Sequence, residues 1–202
     1  MLFSYKMTSD TGFAPNPFHG TITLANCKPY IRMKKNKGDF IAGFTSNKLC
    51  GEKVGEERLI YIMKVTEKLS YEEYFHDERF QCKIPSDQSL IAKAGDNIYK
   101  PSATADLGYV QLPTRHHQDV DEMKRDLKGK YVLLSTEFYY FGKGAIPIDN
   151  FRIKIPKFQS AYGVKTDNTD EITKLWNYLN ANYKKNVALN PPHKWKESEP
   201  FN

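Results

Sequence analysis

The sequence predicts an α+β fold, with a mixed sheet of roughly five or six short strands and a few helices. Apolar runs rich in β-branched and aromatic residues recur between polar loops, and the strongest is L-I-Y-I-M-K-V at Leu59–Val65. One apolar face at helical spacing occurs near the C-terminus. The runs lie too far apart for a tight meander and show no βαβ repeat, so an α+β arrangement is favoured over a parallel sheet.

The strands are predicted from alternation or from continuous apolar runs. Leu2–Met7 alternates apolar and polar residues, and Phe40–Phe44 follows a Gly-Asp turn. Leu59–Val65 is continuous, so burial on both of its faces is expected. Lys130–Ser135 is a further buried strand, and the prolines within Phe151–Gln159 make that segment an edge strand at best.

Two helices are predicted in the first half of the chain. Leu69–Phe80 fits a short helix with Ser70 as N-cap and Glu73 three residues on, the spacing of a capping box. Thr21–Met33 has room for a short helix in its middle, which is expected to end before Pro29.

The last predicted helix covers about Thr169–Asn182. Its apolar face is formed by Ile172, Leu175, Trp176 and Leu179. Asn168 and Glu171 have the spacing of a second capping box. The tail N-P-P-H-K-W-K-E-S-E-P is expected to be extended or frayed.

Three segments are predicted as loops. Ser46–Arg58 is polar, and Gln81–Gln118 is a long irregular excursion of the kind that often carries function. Asp10–Gly20 reads D-T-G-F-A-P-N-P-F-H-G, in which Pro15 and Pro17 fix φ at alternate positions. A loop ordered in advance suits the wall of a pocket better than a simple connector.

Composition predicts one soluble, intracellular domain over residues 1–202, with a core over about 1–150 and a C-terminal strand, helix and tail over 151–202. The net charge of +6 favours polyanionic partners such as nucleic acid. The three cysteines lack C-x-x-C spacing and are expected to be reduced thiols of a cytoplasmic protein. Neither a signal peptide nor an apolar run of ~20 residues is found, so no membrane partner is expected.

No P-loop, G-x-G-x-x-G, H-E-x-x-H, G-x-S-x-G or kinase signature occurs. Lys28 and Arg32, four residues apart, would clamp a phosphate if the segment is helical; otherwise they belong to a basic surface stripe. Adjacent His116 and His117 would point to opposite faces of a strand, so at most one shares a pocket with a given partner. Two histidines are too few ligands for a metal site, so no metal or cofactor is predicted. A position on a solvated loop is as probable for this pair as a position in a pocket.

A series of motifs in fixed order resembles one known family. The series includes Y-K-M-T-S-D-T-G-F-A-P-N-P-F-H-G, K-G-D-F-I-A-G-F, L-I-Y-I-M-K-V-T-E, F-H-D-E-R-F, G-D-N-I-Y and V-L-L-S-T-E-F-Y-Y-F-G. It resembles the second of the numbered nucleotide-modification-associated domain families of bacteria and phages, over about Ser4–Pro147. A fainter likeness to EVE and other PUA-like domains implies a small, partly open mixed β-barrel with flanking helices. The C-terminal amphipathic helix predicted above lies outside the matched motifs.

The resemblance implies action on modified DNA bases and singles out recurring positions. The positions implied for catalysis are Asp10, Asp96 and His116, where His117 is an alternative to His116. Those implied for binding DNA or a modified nucleotide are Asn16, Lys28, Arg32, Asn97 and Tyr99, and Asp39 recurs without an assigned role. Phe13 and Phe18 are expected to bind as well, because their rings can stack on a flipped base.

Two functions from different classes remain open on this reading. In the first, the protein is an enzyme that holds a flipped base between aromatic rings and excises it as a DNA glycosylase does, or attaches a group to it. In the second, it is a non-catalytic reader that binds the modified base in the same pocket. A basic interaction domain without a base pocket is the third possibility.

Overall fold

The computed structural model describes residues 1–159, 161–196 and 201, and these residues form ten strands and six α-helices. The strands are β1 (Leu2–Lys6), β2 (Ile22–Leu24), β3 (Phe40–Phe44), β4 (Leu59–Lys64), β5 (Glu67–Ser70), β6 (Tyr99–Pro101), β7 (Tyr109–Gln111), β8 (Tyr131–Ser135), β9 (Phe138–Tyr140) and β10 (Val164–Thr166). The helices are α1 (Pro29–Lys34), α2 (Asn47–Cys50), α3 (Tyr71–His76), α4 (Leu90–Lys93), α5 (Val120–Leu127) and α6 (Thr169–Asn182). The mixed α+β prediction is confirmed.

The strands pair into three sheets. A five-stranded sheet has the order β10-β1-β3-β4-β9, in which β1 and β3 are parallel and the other pairs antiparallel. A three-stranded sheet has the order β2-β8-β5, and β6 pairs with β7. Over the described ranges, no ladder joins the edge strands of the large sheet, so the sheets do not close into the barrel that the PUA-like likeness implied.

The five-stranded sheet is buried on both faces. On one face Tyr5, Ile41 and Met63 pack in a cluster with Leu24 of β2 and Leu133 of β8. The other face packs against α6 through a second cluster, to which Leu2, Ala42, Ile62, Leu175 and Leu179 contribute. This arrangement explains the continuous apolar run in β4, because a strand covered on both sides has no solvated face.

Side chains cap the N-termini of α3 and α6, and only α3 has the full capping box. The Ser70 hydroxyl accepts from the Glu73 backbone and the Glu73 carboxylate accepts from the Ser70 backbone, which confirms the predicted capping box. At α6 the Asn168 side chain also caps the helix. Glu171 departs from the prediction, since its carboxylate accepts from the backbone N–H of Arg152 instead of closing a second box.

Pro29 begins a helix, contrary to the prediction that it ends one. Proline suits the first helical position, where its missing N–H is not needed, and α1 starts there. Lys28 before it adopts the left-handed region (φ 42°, ψ 49°), which agrees with the exclusion of right-handed helix before proline. The residues upstream form β2 instead of a helix.

Other loop predictions were too coarse. The segments predicted as loops contain α2, α4, β6 and β7, and α5 was not predicted. No strand is assigned over Phe151–Gln159.

The described part of the tail packs against the Asp10 loop. Lys194 donates to the Asp10 carbonyl, and the Trp195 ring is 8% exposed. Most of the remaining tail, residues 197–200 and 202, lies outside the described residues. None of the helices in the described residues is long and apolar enough to cross a membrane.

Candidate active-site cleft

A cleft of about 730 Å³ opens beside the end of β1. Its walls come from the segment after β1, the turn that enters α1, the bend before α5, and α5 itself. The lining residues are Tyr5, Lys6, Met7, Thr8, Ser9, Thr11, Phe13, Ala14, Cys27, Lys28, Pro29, Tyr30, His116, His117, Glu122, Arg125, Lys128, Gln159 and Ala161. The volume is in the range of small-molecule sites.

Cys27, His117 and Asp126 form a row at one wall of this cleft. The His117 ring lies between the other two, with Nε2 3.7 Å from the Cys27 sulfur and Nδ1 2.9 Å from an Asp126 carboxylate oxygen. The second contact is a close ion pair in which the ring N–H is poorly aligned with the oxygen. Cys27 and His117 line the cleft, whereas Asp126 is fully buried behind them.

An unusual backbone presents the Cys27 thiol. Cys27 and Lys28 are consecutive non-glycine residues with positive φ, 57° and 42°, a conformation that costs about 1–2 kcal/mol per residue. The Cys27 carbonyl accepts from Arg32 Nε at 2.7 Å and the Cys27 N–H donates to Asp126 at 2.7 Å. These two contacts hold the strained turn in place, as is common where a side chain must be positioned.

Arg32 and Asp126 anchor this wall from within. The Arg32 guanidinium, fully buried, also donates to the Tyr71 hydroxyl and to the carbonyls of Tyr131 and Asp126, each at 2.7 Å. It packs closely over Gly129, where a Cβ would stand 2.5 Å from Arg32 Cζ. A buried guanidinium needs such a full set of acceptors.

The two adjacent histidines differ in electrostatics. Burial favours neutral His117, but the Asp126 carboxylate and the Cys27 sulfur outweigh it and raise the pKa of His117 to about 10. Burial, together with the charge of Arg115, lowers the pKa of His116 to about 4. At neutral pH His117 is therefore cationic and His116 neutral.

Aromatic and basic side chains line the rest of the cleft. The Phe13 ring stacks on His116 with centroids 4.6 Å apart, and Lys28 Nζ lies 4.5 Å from the centre of the Tyr5 ring. Exposed Arg125 and Lys128 stand at the rim. The cleft thus offers an apolar floor and a positive edge.

Of the ten predicted site residues, three line the cleft: Phe13, Lys28 and His116. The other seven are buried and lie outside its lining: Asp10, Asn16, Phe18, Arg32, Asp96, Asn97 and Tyr99. Of the loop expected to form a pocket wall, the part from Thr11 to Ala14 contributes lining residues. The two histidines line one cleft, contrary to the opposite faces expected, because the backbone bends there and is not a strand.

Asp10 and Asp96 lie in two separate buried networks. Asp10 accepts from the Tyr140 hydroxyl at 2.6 Å and lies 2.8 Å from His193 Nδ1, which ties the tail to the loop. Asp96 accepts from the hydroxyls of Thr23 and Tyr74 at 2.6 and 2.7 Å. The two carboxylates therefore do not converge with Lys28.

Lys83 is a buried group that supports the loop Asp10–Gly20. Lys83 donates to the Asn16 side-chain oxygen at 2.7 Å and to the carbonyls of Asn16 and Thr21. Burial lowers the pKa of Lys83 to about 8 and raises that of Asp96 to about 6. Asn16 is thereby committed to the fold of the loop.

Sequence reasoning missed Cys27 and Asp126, and it named His117 only as the alternative to His116. The run Arg115-His116-His117 carried a signal, and so did a cysteine directly before a lysine at a predicted helix boundary. Asp126 carried none, because it lies on α5, which was not predicted. Among the described residues, no group of three histidine, cysteine or acidic side chains is arranged to hold a metal ion.

The fold and the cleft define a mixed α+β protein with a thiol–imidazole pair in an aromatic, basic-rimmed cleft. The family model described as nucleotide modification associated domain 2 matches residues 1–199. The chain belongs to this family, and the resemblance seen over Ser4–Pro147 is confirmed and extends through α6. Comparison with curated proteins and with solved structures gave no significant match. Membership indicates involvement with modified nucleotides or DNA.

Proposed function

We propose that this protein takes a modified nucleobase, as part of DNA or of a free nucleotide, into the cleft and processes it there. The observation that carries the proposal is the composition of one cleft: an aromatic floor, a basic rim and a titratable pair, Cys27 and His117, between them. Aromatic faces bind any nucleobase by stacking, and cations bind its phosphate.

The binding half of the proposal follows from the lining. Phe13 and Tyr5 make the lining apolar but are almost fully buried, and Tyr30, 43% exposed, is the lining ring that is open to a base. Lys28, Arg125 and Lys128 bring positive charge to the cleft. The size of the cleft suits one nucleotide unit. A base within a duplex would therefore have to be flipped out to enter, at a cost of a few kcal/mol.

Group transfer to or from the base is favoured over base excision. Excision uses a carboxylate that acts on the sugar, and the oxygens of Asp10 are engaged by Tyr140 and His193 outside the cleft lining. Glu122 is the carboxylate within the lining, and it lies 3.7 Å from Arg125. Cys27 and His117 offer a thiol and an imidazole instead, which suit transfer of a group.

A non-catalytic reader would use the same floor and rim but no reacting groups. The cleft contains a thiol held by a strained turn beside an imidazolium, which binding alone does not require. This observation favours the enzyme, and the two readings differ in one measurable respect, a change in the base.

The test is incubation with hypermodified DNA, plain DNA and free nucleotides, followed by mass spectrometry of the nucleosides and an assay for abasic sites. We expect altered bases without abasic sites, and C27S should retain binding while it loses the change. Selective binding with no altered nucleoside would establish the reader. Equal binding to all DNA with no change in either would contradict both.

Affinity measurements with a matched pair of lysines test the binding half separately. Lys128→Ala, at the rim, should weaken binding about tenfold, the equivalent of about 1.4 kcal/mol for one charged contact. Lys100→Ala removes an exposed charge on β6 outside the cleft and should have no such effect. Equal losses in both variants would indicate only a general charge effect.

A further inference from the structure

Cys27, His117 and Asp126 form an arrangement that nucleotide binding does not explain. A thiol, an imidazole and a carboxylate follow one another, with the two ring nitrogens of His117 facing the outer groups at 3.7 and 2.9 Å. The sulfur faces a cleft, and the carboxylate lies behind the ring. Nucleophile, base and orienting group in this order are the signature of covalent catalysis.

We infer that Cys27 is a nucleophile for acyl transfer and that His117 is its acid–base partner. The inference goes beyond the nucleotide function proposed above, because a thiol can attack a carbonyl whether or not the group released is a nucleobase. It rests on the geometry at Cys27, and nucleotide binding is not part of its test.

Cys27 and His117 supply the nucleophile and the proton carrier of the first step. The Cys27 sulfur attacks the carbonyl carbon of an amide or ester, so a C–S bond forms and the C–N or C–O bond breaks. The cationic His117 holds on Nε2 the one proton that the pair gives up, and this proton passes to the departing nitrogen or oxygen. The product is a thioester on Cys27 and a free amine or alcohol.

Water completes the cycle in the second step. Its oxygen attacks the thioester carbonyl, a C–O bond forms and the C–S bond breaks. His117, neutral after the first step, accepts a proton from the water, so the carboxylic acid leaves and the Cys27–His117 pair returns to its starting state. No oxidant or reductant is involved.

Cys27 has an imidazole nitrogen 3.7 Å from its sulfur, which can carry the proton for a reaction at that sulfur. The other two cysteines lack such a neighbour among the described contacts: the Cys50 and Cys82 thiols donate to the carbonyls of Ser46 and Arg79. Both are exposed, and burial together with Glu52 raises the pKa of Cys50. They therefore serve as internal standards in the same molecule.

The first test uses the unmodified protein and p-nitrophenyl acetate at about pH 7, where ordinary thiols are largely protonated. Peptide mass spectrometry locates the acetyl group. We expect Cys27 to be acetylated at least about tenfold faster than Cys50 or Cys82, although it is the least exposed of the three. Acetylation of Cys27 no faster than that of Cys50 and Cys82 would overturn the inference.

The second test uses His117→Asn, whose amide nitrogen can take the place of Nδ1 and retain the contact with Asp126 while Nε2 is lost. We expect acetylation of Cys27 to slow at least about 100-fold, the usual share of an acid–base partner. His76→Asn, which changes an exposed histidine on α3, is the matched control and should leave the rate unchanged. An unchanged rate in folded His117→Asn would overturn the role of His117. If circular dichroism shows that variant unfolded, the comparison of cysteines in the unmodified protein decides alone.

Discussion

The Asp126 carboxylate accepts a 2.7 Å hydrogen bond from the backbone N–H of Cys27 and so ties α5 to the turn before α1. Its second oxygen accepts from the Tyr99 hydroxyl at 3.0 Å and lies beside His117. Arg32 Nη2 stands 3.7 Å from the first oxygen. One buried carboxylate thus connects the Cys27 turn, the histidine bend and the buried arginine.

Asp126→Asn should therefore be strongly destabilising. The change leaves the Arg32 and His117 cations without their shared anion, and breaking a buried ion pair typically costs about 3–5 kcal/mol. Urea denaturation measures the loss in the free energy of unfolding. Asp121→Asn on the same helix, where the side chain is 89% exposed, is the control and should change stability by no more than about 0.5 kcal/mol. Similar losses in both variants would contradict the role of Asp126.

Arg32→Lys should lower stability even though it retains the charge. Lysine cannot reproduce the planar fork that reaches four acceptors around Arg32, and each unsatisfied buried acceptor costs about 1–3 kcal/mol. Denaturation of Arg32→Lys beside Arg125→Lys, an exposed arginine on α5, measures the difference. The sequence predicted that Arg32 would clamp a phosphate or belong to a basic surface stripe. An unchanged stability with weakened nucleotide binding would favour the phosphate clamp.

Trp195→Ala should loosen the tail from the Asp10 loop. Its ring stacks on Phe18 with centroids 5.6 Å apart, and its Nε1 donates to the Thr11 carbonyl at 3.0 Å. Loss of a buried tryptophan costs about 3 kcal/mol or more. Trp195→Phe, which retains a ring but loses the donor, should cost about 1 kcal/mol. Thermal melts of the two variants give the comparison, and equal, negligible shifts would show that the tail contributes nothing to stability.

The sequence predicted those strands and helices that are determined by residues close together in the chain. Phe40–Phe44 and α6 have their predicted bounds, because alternation, apolar spacing and capping depend on near neighbours. The prediction that a helix ends before Pro29 was wrong, because a proline can follow one helix or begin the next. The conformation of Lys28 and the pairing of β2 determine that Pro29 begins a helix here. The parallel pairing of β1 with β3 depends on contacts far apart in the chain and had no sequence signal.

The site was harder to predict than the fold for the same physical reason. Cys27 lies 90 residues before His117 and 99 before Asp126, and it meets them only because α5 packs near the Cys27 turn. Polar residues in turns, such as Asn16 and Asp96, resemble site residues in sequence, but here they satisfy buried backbone groups and hydroxyls. A turn motif does not reveal whether its polar side chain is buried. A residue that binds a ligand and one that satisfies a buried group therefore have the same sequence pattern.

The pH dependence of stability should reveal the charged His117. Its pKa is about 10 in the folded protein and about 6.5 in an unfolded chain. Between these values the folded state binds more protons, so the slope of the free energy of unfolding against pH is negative. The stabilisation by His117 is therefore complete below about pH 6.5 and is lost as the pH rises through about 10.

His117→Asn isolates this contribution from the many other groups that titrate in the same range. We expect the difference in unfolding free energy between the unmodified protein and His117→Asn to be constant below about pH 6.5 and to shrink above it. Asp126→Asn should abolish that slope, because the carboxylate is the main group that raises the pKa of His117 against its burial. Cys27→Ser, which leaves Asp126 in place, should retain most of it. A difference that stays flat through about pH 10 would show that His117 is neutral in the folded protein, since a neutral ring releases no proton on unfolding in this range.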